Sequence, residues 1–356
     1  ALLILEHFSE NLEQKTLADH GFMFWGNMNF NFNEASMGYL SNSDITGASY
    51  LHRNWTEPNL VAYMECHDEE WLMYKNLEFG NSNGGYSVQN INTALLRQGL
   101  VSTLFYSIPG PKMLWQFGEL GYDFSINRST NGTIGDCRLD RKPIRWDYLN
   151  VPERKYLRDF TAALIQLKKS ESIFETNDYE ILQPGSIKYI KLNGNGENAL
   201  VVGNFDVVST SATVNFQRTG DWFEYFSGDT ISVDQTNQTL ELAAGAFKFF
   251  TDYKINDSGL FTVSLSDIYK STFKIQITPN PSSGPVRISF DLEEYESLSL
   301  YIYNGVGQCV QSIEKKKYPI GHNQILVNQR FDTGVFFVEI SNHKARSTHK
   351  FLIQKN

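Results

Sequence analysis

Cysteine is scarce in this sequence. Cys66, Cys137 and Cys309 are far apart and odd in number, which excludes a disulfide framework and the paired-cysteine spacing of a zinc site. Long apolar runs are also missing. None approaches the ~20 residues that a membrane helix needs. Basic charge is in deficit, with a net charge of -9, which argues against a nucleic-acid partner. The sequence opens without an initiator Met and without a signal-peptide pattern. It begins on apolar residues 1–5, so a preceding part of the protein is expected.

What is present is a large aromatic complement. Of 356 residues 14% are aromatic, with Phe 25 and Tyr 18. Flat rings stack on the apolar faces of sugars, and they equally suit β-rich domains. The chain is 41% hydrophobic and 20% charged, enough to bury the cores of two or three domains.

One stretch organises the rest. Leu60 to Met64 is apolar, and Glu65-Cys66-His67-Asp68-Glu69-Glu70 follows at once. A buried parallel strand that delivers polar side chains to the mouth of a barrel reads this way. The alternative is a core strand followed by a solvated acidic loop.

Around it the pattern alternates between strands and helices. Strands are expected at Leu2 to Leu5, Gly21 to Trp25, Leu60 to Glu65 and Lys112 to Trp115. A short helix is expected over 10–20, and a helix with a long loop over 31–54. The apolar period predicts helices over 90–107 and from Pro152 onward. Four β-α units make half of a (β/α)8 barrel. Beyond residue 178, short alternating strands separated by turns at intervals of roughly ten residues predict a β-sandwich. After a linker comes a smaller all-β block. The fold class is thus multidomain α/β plus all-β. Its expected parts are a partial barrel at 1–178, a β-sandwich at 179–252, a linker at 253–273 and a small β-domain at 274–356.

Leu3-Ile4-Leu5-Glu6, Glu65-Cys66-His67-Asp68 and the run from Ile108 to Glu119 resemble, in this order, three motifs of the α-amylase family, glycoside hydrolase family thirteen. They match the ends of that family's fifth, seventh and eighth barrel strands, and the resemblance covers residues 1 to about 250. Residues 274–356 resemble the C-terminal sorting domain of the type IX secretion system of Gram-negative bacteria. The matching marks are Pro279-Asn280-Pro281, Tyr301 to Asn304 with Gly307-Gln308, Gly321 with Asn323, Gly334 to Val338, and a basic end near Lys350. An adhesive or carbohydrate-binding β-sandwich is the alternative for this block.

The resemblance implies a chemistry. Retaining cleavage of a glycosidic bond needs two carboxyl groups about 5 Å apart, one nucleophile and one acid/base. The acid/base maps onto Glu6, expected to be partly desolvated with a raised pKa. Asp68 maps onto the carboxylate that holds the distorted sugar and stabilises the oxocarbenium-like transition state. His67 maps onto the neighbour that hydrogen-bonds sugar hydroxyls. Trp25 and Trp71 are candidate stacking platforms, with core packing as the alternative for Trp25. His7 is either a support for Glu6 or structural, and Glu119 matches a structural position. Cys66 stands where the family more often has Asn or Ser, and Trp71 where close relatives often have Arg.

The family's nucleophile is an Asp on strand four, in an Arg-x-Asp context. Here that pattern occurs at Arg138-Leu139-Asp140 and Arg330-Phe331-Asp332, both expected to be surface charges. The nucleophile and any calcium ligands are therefore expected upstream. The implied protein is a secreted hydrolase of internal α-1,4 bonds in starch-like glucans, with this chain alone inactive. Its partners would be an α-glucan and the type IX secretion machinery, with no nucleic acid and no membrane span. A glucan branching enzyme and a non-catalytic glucan-binding surface protein are the alternatives.

Overall fold

Four apolar runs form one parallel sheet. Its strands are β1 (Ile4–Leu5), β2 (Met23–Asn27), β3 (Leu60–Tyr63) and, after the small hairpin β4 (Ser82–Asn83) and β5 (Tyr86–Ser87), β6 (Lys112–Met113). The order is β1-β2-β3-β6 and every pairing is parallel. All four residues of β3 are buried, which is why its sequence is continuously apolar rather than alternating. β1 and β6 each pair on one side only among the described residues. The structure, a computed structural model, describes residues 2–255, 275–292, 295–304, 309–328, 331–341 and 346–355. It divides into two compact units, Ala1–Thr262 and Val263–Asn356.

Helices α1 (Asn11–Asp19), α2 (Asn29–Met37), α3 (Leu72–Phe79), α4 (Ile91–Ser107) and α5 (Pro152–Ser170) connect or follow the parallel strands. α4 starts where the Asn90 side chain accepts hydrogen bonds from the backbone N–H of Asn92 and Thr93, satisfying two otherwise orphaned donors. It stops at Ser107, just short of Pro109. α5 begins on Pro152, with Glu153 in its first turn and Lys168 and Lys169 in its last, charges that match the helix dipole. α3 was not expected from the sequence; its eight residues are too few to show a helical period.

The first unit continues into β-structure. Strands β7 (Tyr179–Leu182), β8 (Ile187–Asn193), β9 (Asn198–Asn204), β10 (Thr210–Asn215), β11 (Gly220–Glu224), β12 (Thr230–Val233), β13 (Asn237–Leu242) and β14 (Phe247–Thr251) follow. Six of them form an antiparallel sheet in the order β12-β11-β14-β9-β8-β7, and β10 pairs with β13. Ile187, Leu200, Val202, Val214, Phe216, Trp222 and Phe250 form the core of this part.

Arg97 ties helix to sheet. Its fully buried guanidinium donates to the carbonyls of Ser36 (2.6 Å) and Ala35 (2.6 Å) at the end of α2, and to those of Phe205 (2.7 Å) and Asp206 (3.1 Å) just past β9. Gly203 lets α4 approach, because a Cβ there would collide with Leu100.

The second unit has two sheets. One is β15 (Gln276–Thr278), β16 (Val286–Leu292) and β19 (Gly321–Val327), in the order β15-β16-β19. The other holds β17 (Glu296–Asn304), β18 (Cys309–Tyr318), β20 (Gly334–Ser341) and β21 (Arg346–Ile353), in the order β18-β17-β20-β21. Ile288, Phe290, Leu300, Ile302, Val338, Ile340 and Phe351 share one core. Besides the short β15, two strands of the second sheet were not expected from the sequence, β18 with its run Lys315-Lys316-Lys317 and the basic β21. Both are edge strands, where lysine guards against unwanted pairing and hides the strand pattern. Most of the expected linker, together with Gly307-Gln308, Arg330 and Lys344, lies outside the described residues.

Candidate active site

Parallel pairing puts the C-terminal ends of β1, β2, β3 and β6 on one side of the sheet. Glu6, Asn27, the loop 65–70 and Trp115 follow these ends. The loop is held from several directions. Asn29 at the start of α2 donates its amide to the carbonyls of Met64 and Glu70, both at 2.9 Å. Asn33, one turn on, donates to the Glu70 carbonyl at 3.1 Å. The Glu70 carboxylate accepts from the Ser125 hydroxyl (2.5 Å) and the Ile126 amide (2.8 Å), binding loop 65–70 to the loop after β6. The Asn-rich α2 thus serves as a backbone clamp.

Within the clamped loop the ionisable side chains meet. Asn27 donates to Oε1 of Glu69 at 2.5 Å, and the Cys66 thiol donates to Oε2 of Glu69 at 2.7 Å. Burial and that hydrogen bond push the thiol up to about 12. His67 Nε2 lies 3.5 Å from Oδ2 of Asp68, and Arg138 Nη1 lies 3.3 Å from Oδ1 of the same carboxylate. Arg138 also donates to the Asp68 carbonyl at 3.3 Å. The His67 ring faces Trp115 with centroids 5.7 Å apart. An exposed imidazole, a half-buried carboxylate and an indole therefore share one surface, a set suited to hydroxyl groups and to a developing positive charge.

Below this surface lies a small cavity lined by Glu65, Gln98, Tyr106, Gly118 and Glu119 among others. Oε1 of Glu65 accepts from the Leu72 amide at 2.7 Å, at the start of α3. Burial, with the Glu119 carboxyl adding to it, pushes Glu65 up to about 7. Gly118 lets the Glu65 carboxylate approach, since a Cβ there would crowd its Oε2 and force it to shift.

Several expectations need correction. Among the described residues Glu6 is exposed rather than partly desolvated, and β1 there pairs with β2 alone. Trp71 is not a platform: it is 4% exposed, packs edge-on against Tyr122 (4.9 Å) and donates its N–H to the Cys66 carbonyl at 2.7 Å. It shapes the loop from beneath. Arg138 is not an ordinary surface charge but the partner of Asp68. His7 is engaged by Glu13 of α1 at 2.9 Å. Trp25 is half-buried and meets Tyr63 edge-on at 6.2 Å. The reading of the sequence missed Trp115, Asn27, Glu69 and Arg138. Trp115, at the end of an apolar run, was visible as a pattern; Arg138, 70 residues beyond Asp68, was not.

Residues 276–354 match the family described as the secretion system C-terminal sorting domain. The chain carries a type IX sorting domain. That sorting domain marks the protein for the extracellular space or the cell surface. No curated protein matches the chain. Among solved structures it is similar to the α-amylase of Geobacillus thermoleovorans complexed with acarbose, at 12% identity and a TM-score of 0.52, covering 70% of this chain and 53% of that one. A complex of AmyP with maltose has 11% identity and a TM-score of 0.49, over 69% and 51% of the two chains. A pullulanase of Anoxybacillus sp. complexed with maltotetraose has 16% identity and a TM-score of 0.49, over 67% and 36%. The first likeness shows an α-amylase fold, and the chain spans about half the length of that enzyme.

Proposed function

We propose that the protein is a secreted glycoside hydrolase of the α-amylase type acting on internal α-1,4 bonds of starch-like glucans. The observation that carries this reading is the constellation Asp68–His67–Arg138–Trp115 at the strand ends of an α-amylase fold. In it Asp68 stabilises the oxocarbenium-like transition state and holds the distorted ring. His67 donates to sugar hydroxyls, and Trp115 offers the apolar face of an indole. Exposed Glu6, at the end of the neighbouring parallel strands, is the proton donor to the leaving oxygen. The parallel sheet is read as the second half of a (β/α)8 barrel, and the antiparallel strands as the sandwich that follows it.

Among the described residues no aspartate stands on a parallel strand where it could attack the anomeric carbon opposite Glu6. The covalent intermediate of a retaining mechanism then needs a carboxylate from outside these residues. The test is one starch assay of this chain beside a longer chain with four further upstream strands. The longer chain is expected to release reducing ends and lose iodine staining, with both lost in Glu6→Gln. This chain alone is expected to be inactive. Equal turnover by both, abolished by Glu6→Gln, would place the nucleophile within these residues. New branch points without shortening would favour a branching enzyme instead.

A further inference from the structure

Cys66, His67 and Asp68 bring three different donor types to one place. One ligand atom from each, a sulfur, a ring nitrogen and a carboxylate oxygen, lies within 4.8 Å of the other two. The paired-cysteine spacing that the sequence lacks is not needed for this, because the turn after β3 folds consecutive residues onto one point. The carboxylate is already divided: Arg138 faces Oδ1 at 3.3 Å, while Oδ2 faces His67 Nε2 at 3.5 Å. Ligands on a tetrahedral ion at about 2.0–2.3 Å sit roughly 3.3–3.8 Å apart, so the nitrogen and oxygen are already at that span. The sulfur, within 4.8 Å of the ligand atoms of His67 and Asp68, closes the triangle by a small movement. His67, with a side chain 61% exposed, is free to share that movement.

We propose that Cys66, His67 and Asp68 form a binding site for a thiophilic divalent cation of the zinc type. The donor set selects the metal. Thiolate and imidazole favour zinc and cobalt over calcium and magnesium, which take oxygen ligands. Binding breaks the S–H bond of Cys66 and forms a sulfur–metal bond, so one proton leaves for each ion bound. Glu69, whose Oε2 accepts from that thiol at 2.7 Å, is placed to receive the proton and pass it to solvent. The charges add up favourably, since a thiolate, Asp68 and Glu69 stand together and, among the described residues, Arg138 is the opposing charge in contact with Asp68. A three-ligand site keeps an open fourth position for water.

The experiment uses the whole 356-residue chain and cobalt(II) as the spectroscopic probe. The expected result is a near-ultraviolet sulfur-to-cobalt charge-transfer band that zinc displaces, with one proton released per ion in weak buffer. Cys66→Ser should abolish the band, whereas Cys137→Ser and Cys309→Ser should retain it. His67→Asn, at an exposed position where folding is not at stake, should weaken zinc binding by at least about tenfold. No sulfur band, a band that survives Cys66→Ser, or zinc affinity unchanged in His67→Asn would each overturn the proposal. The readouts are independent of any activity on glucans.

Discussion

Arg138 holds Asp68 from the side away from His67, with Nη1 3.3 Å from Oδ1 and 3.3 Å from the Asp68 carbonyl. One guanidinium thereby fixes both the backbone and the carboxylate of the residue proposed to meet the transition state. The pair is half-exposed, so its contribution to stability is small, within about 1 kcal/mol. Its value lies in orientation. In a chain competent for hydrolysis, Arg138→Gln is expected to lower kcat by about 10–100-fold while leaving the thermal midpoint nearly unchanged. Arg138→Lys should restore part of the rate, since a single ammonium can reach one of the two oxygens. A matched loss of stability and rate in Arg138→Gln would mean that the residue merely holds the loop together.

Two tryptophans in the loops after β3 and β6 should behave differently. Trp115 faces the open His67 ring, and Trp71 is buried with its N–H on the Cys66 carbonyl. Trp115→Ala is expected to weaken binding to a maltooligosaccharide by at least about tenfold, on the scale of a lost aromatic anchor. Trp115 is partly buried against the cluster of Trp71, Phe117 and Tyr122, so its unfolding midpoint should fall as well, and the loss of binding is what sets it apart from Trp71. Trp71→Phe keeps most of the volume but leaves a buried carbonyl without its donor, which costs about 1–3 kcal/mol. Isothermal titration with denaturant unfolding on the same samples separates the two. Equal binding by wild type and Trp115→Ala would remove that indole from the sugar surface.

The contrast between these residues shows what the sequence made legible. A parallel strand buried on both faces, such as Leu60–Tyr63, is read from its unbroken apolar run. A helix such as Pro152–Ser170 is read from its period and its proline start. Which of two nearby tryptophans faces solvent is decided by the turn between strand and helix, and no local pattern encodes it. The Arg138–Asp68 pair joins residues 70 apart through loops without a period. The edge strands Cys309–Tyr318 and Arg346–Ile353 were obscured by the lysines that protect them. Local order was therefore readable, and the fine aim of side chains at strand ends was not.

Arg97 offers a test of the join between helix and sheet. Its guanidinium makes four contacts of 2.6–3.1 Å to backbone carbonyls. Removing it leaves those acceptors buried and unpaired. Arg97→Met should destabilise the first unit by about 3–5 kcal/mol. Arg97→Lys should recover only part, because an ammonium cannot span two carbonyls of α2 and two beyond β9 together. Denaturant midpoints of the three proteins check this; a change below about 1 kcal/mol in Arg97→Met would show that water replaces the clamp.

Glu65 makes the stability of the first unit depend on pH in a defined sense. Burial raises its carboxyl from the ordinary 4.5 to about 7, and the Glu119 carboxyl adds to the effect. Between those values the folded protein holds a proton that the unfolded chain has released. Stability should therefore be full below pH 4.5, fall as pH rises toward 7, and level off above it. For this group the loss across the window is about 3 kcal/mol. Glu65→Gln keeps an oxygen for the Leu72 amide and carries no charge, so its slope over the same window should be flatter. Other carboxylates titrate in both proteins, and the difference between the two curves isolates this one. Glu119, itself raised by burial, is present in both proteins, so the pH dependence that its burial brings is common to the two curves. The measurement is the unfolding midpoint of the first unit from pH 4 to 8, with a chelator present to keep metal off the neighbouring loop. A wild-type curve parallel to that of Glu65→Gln would mean that the Glu65 carboxylate is ionised in the fold at no cost, and that water reaches the cavity beneath the loop.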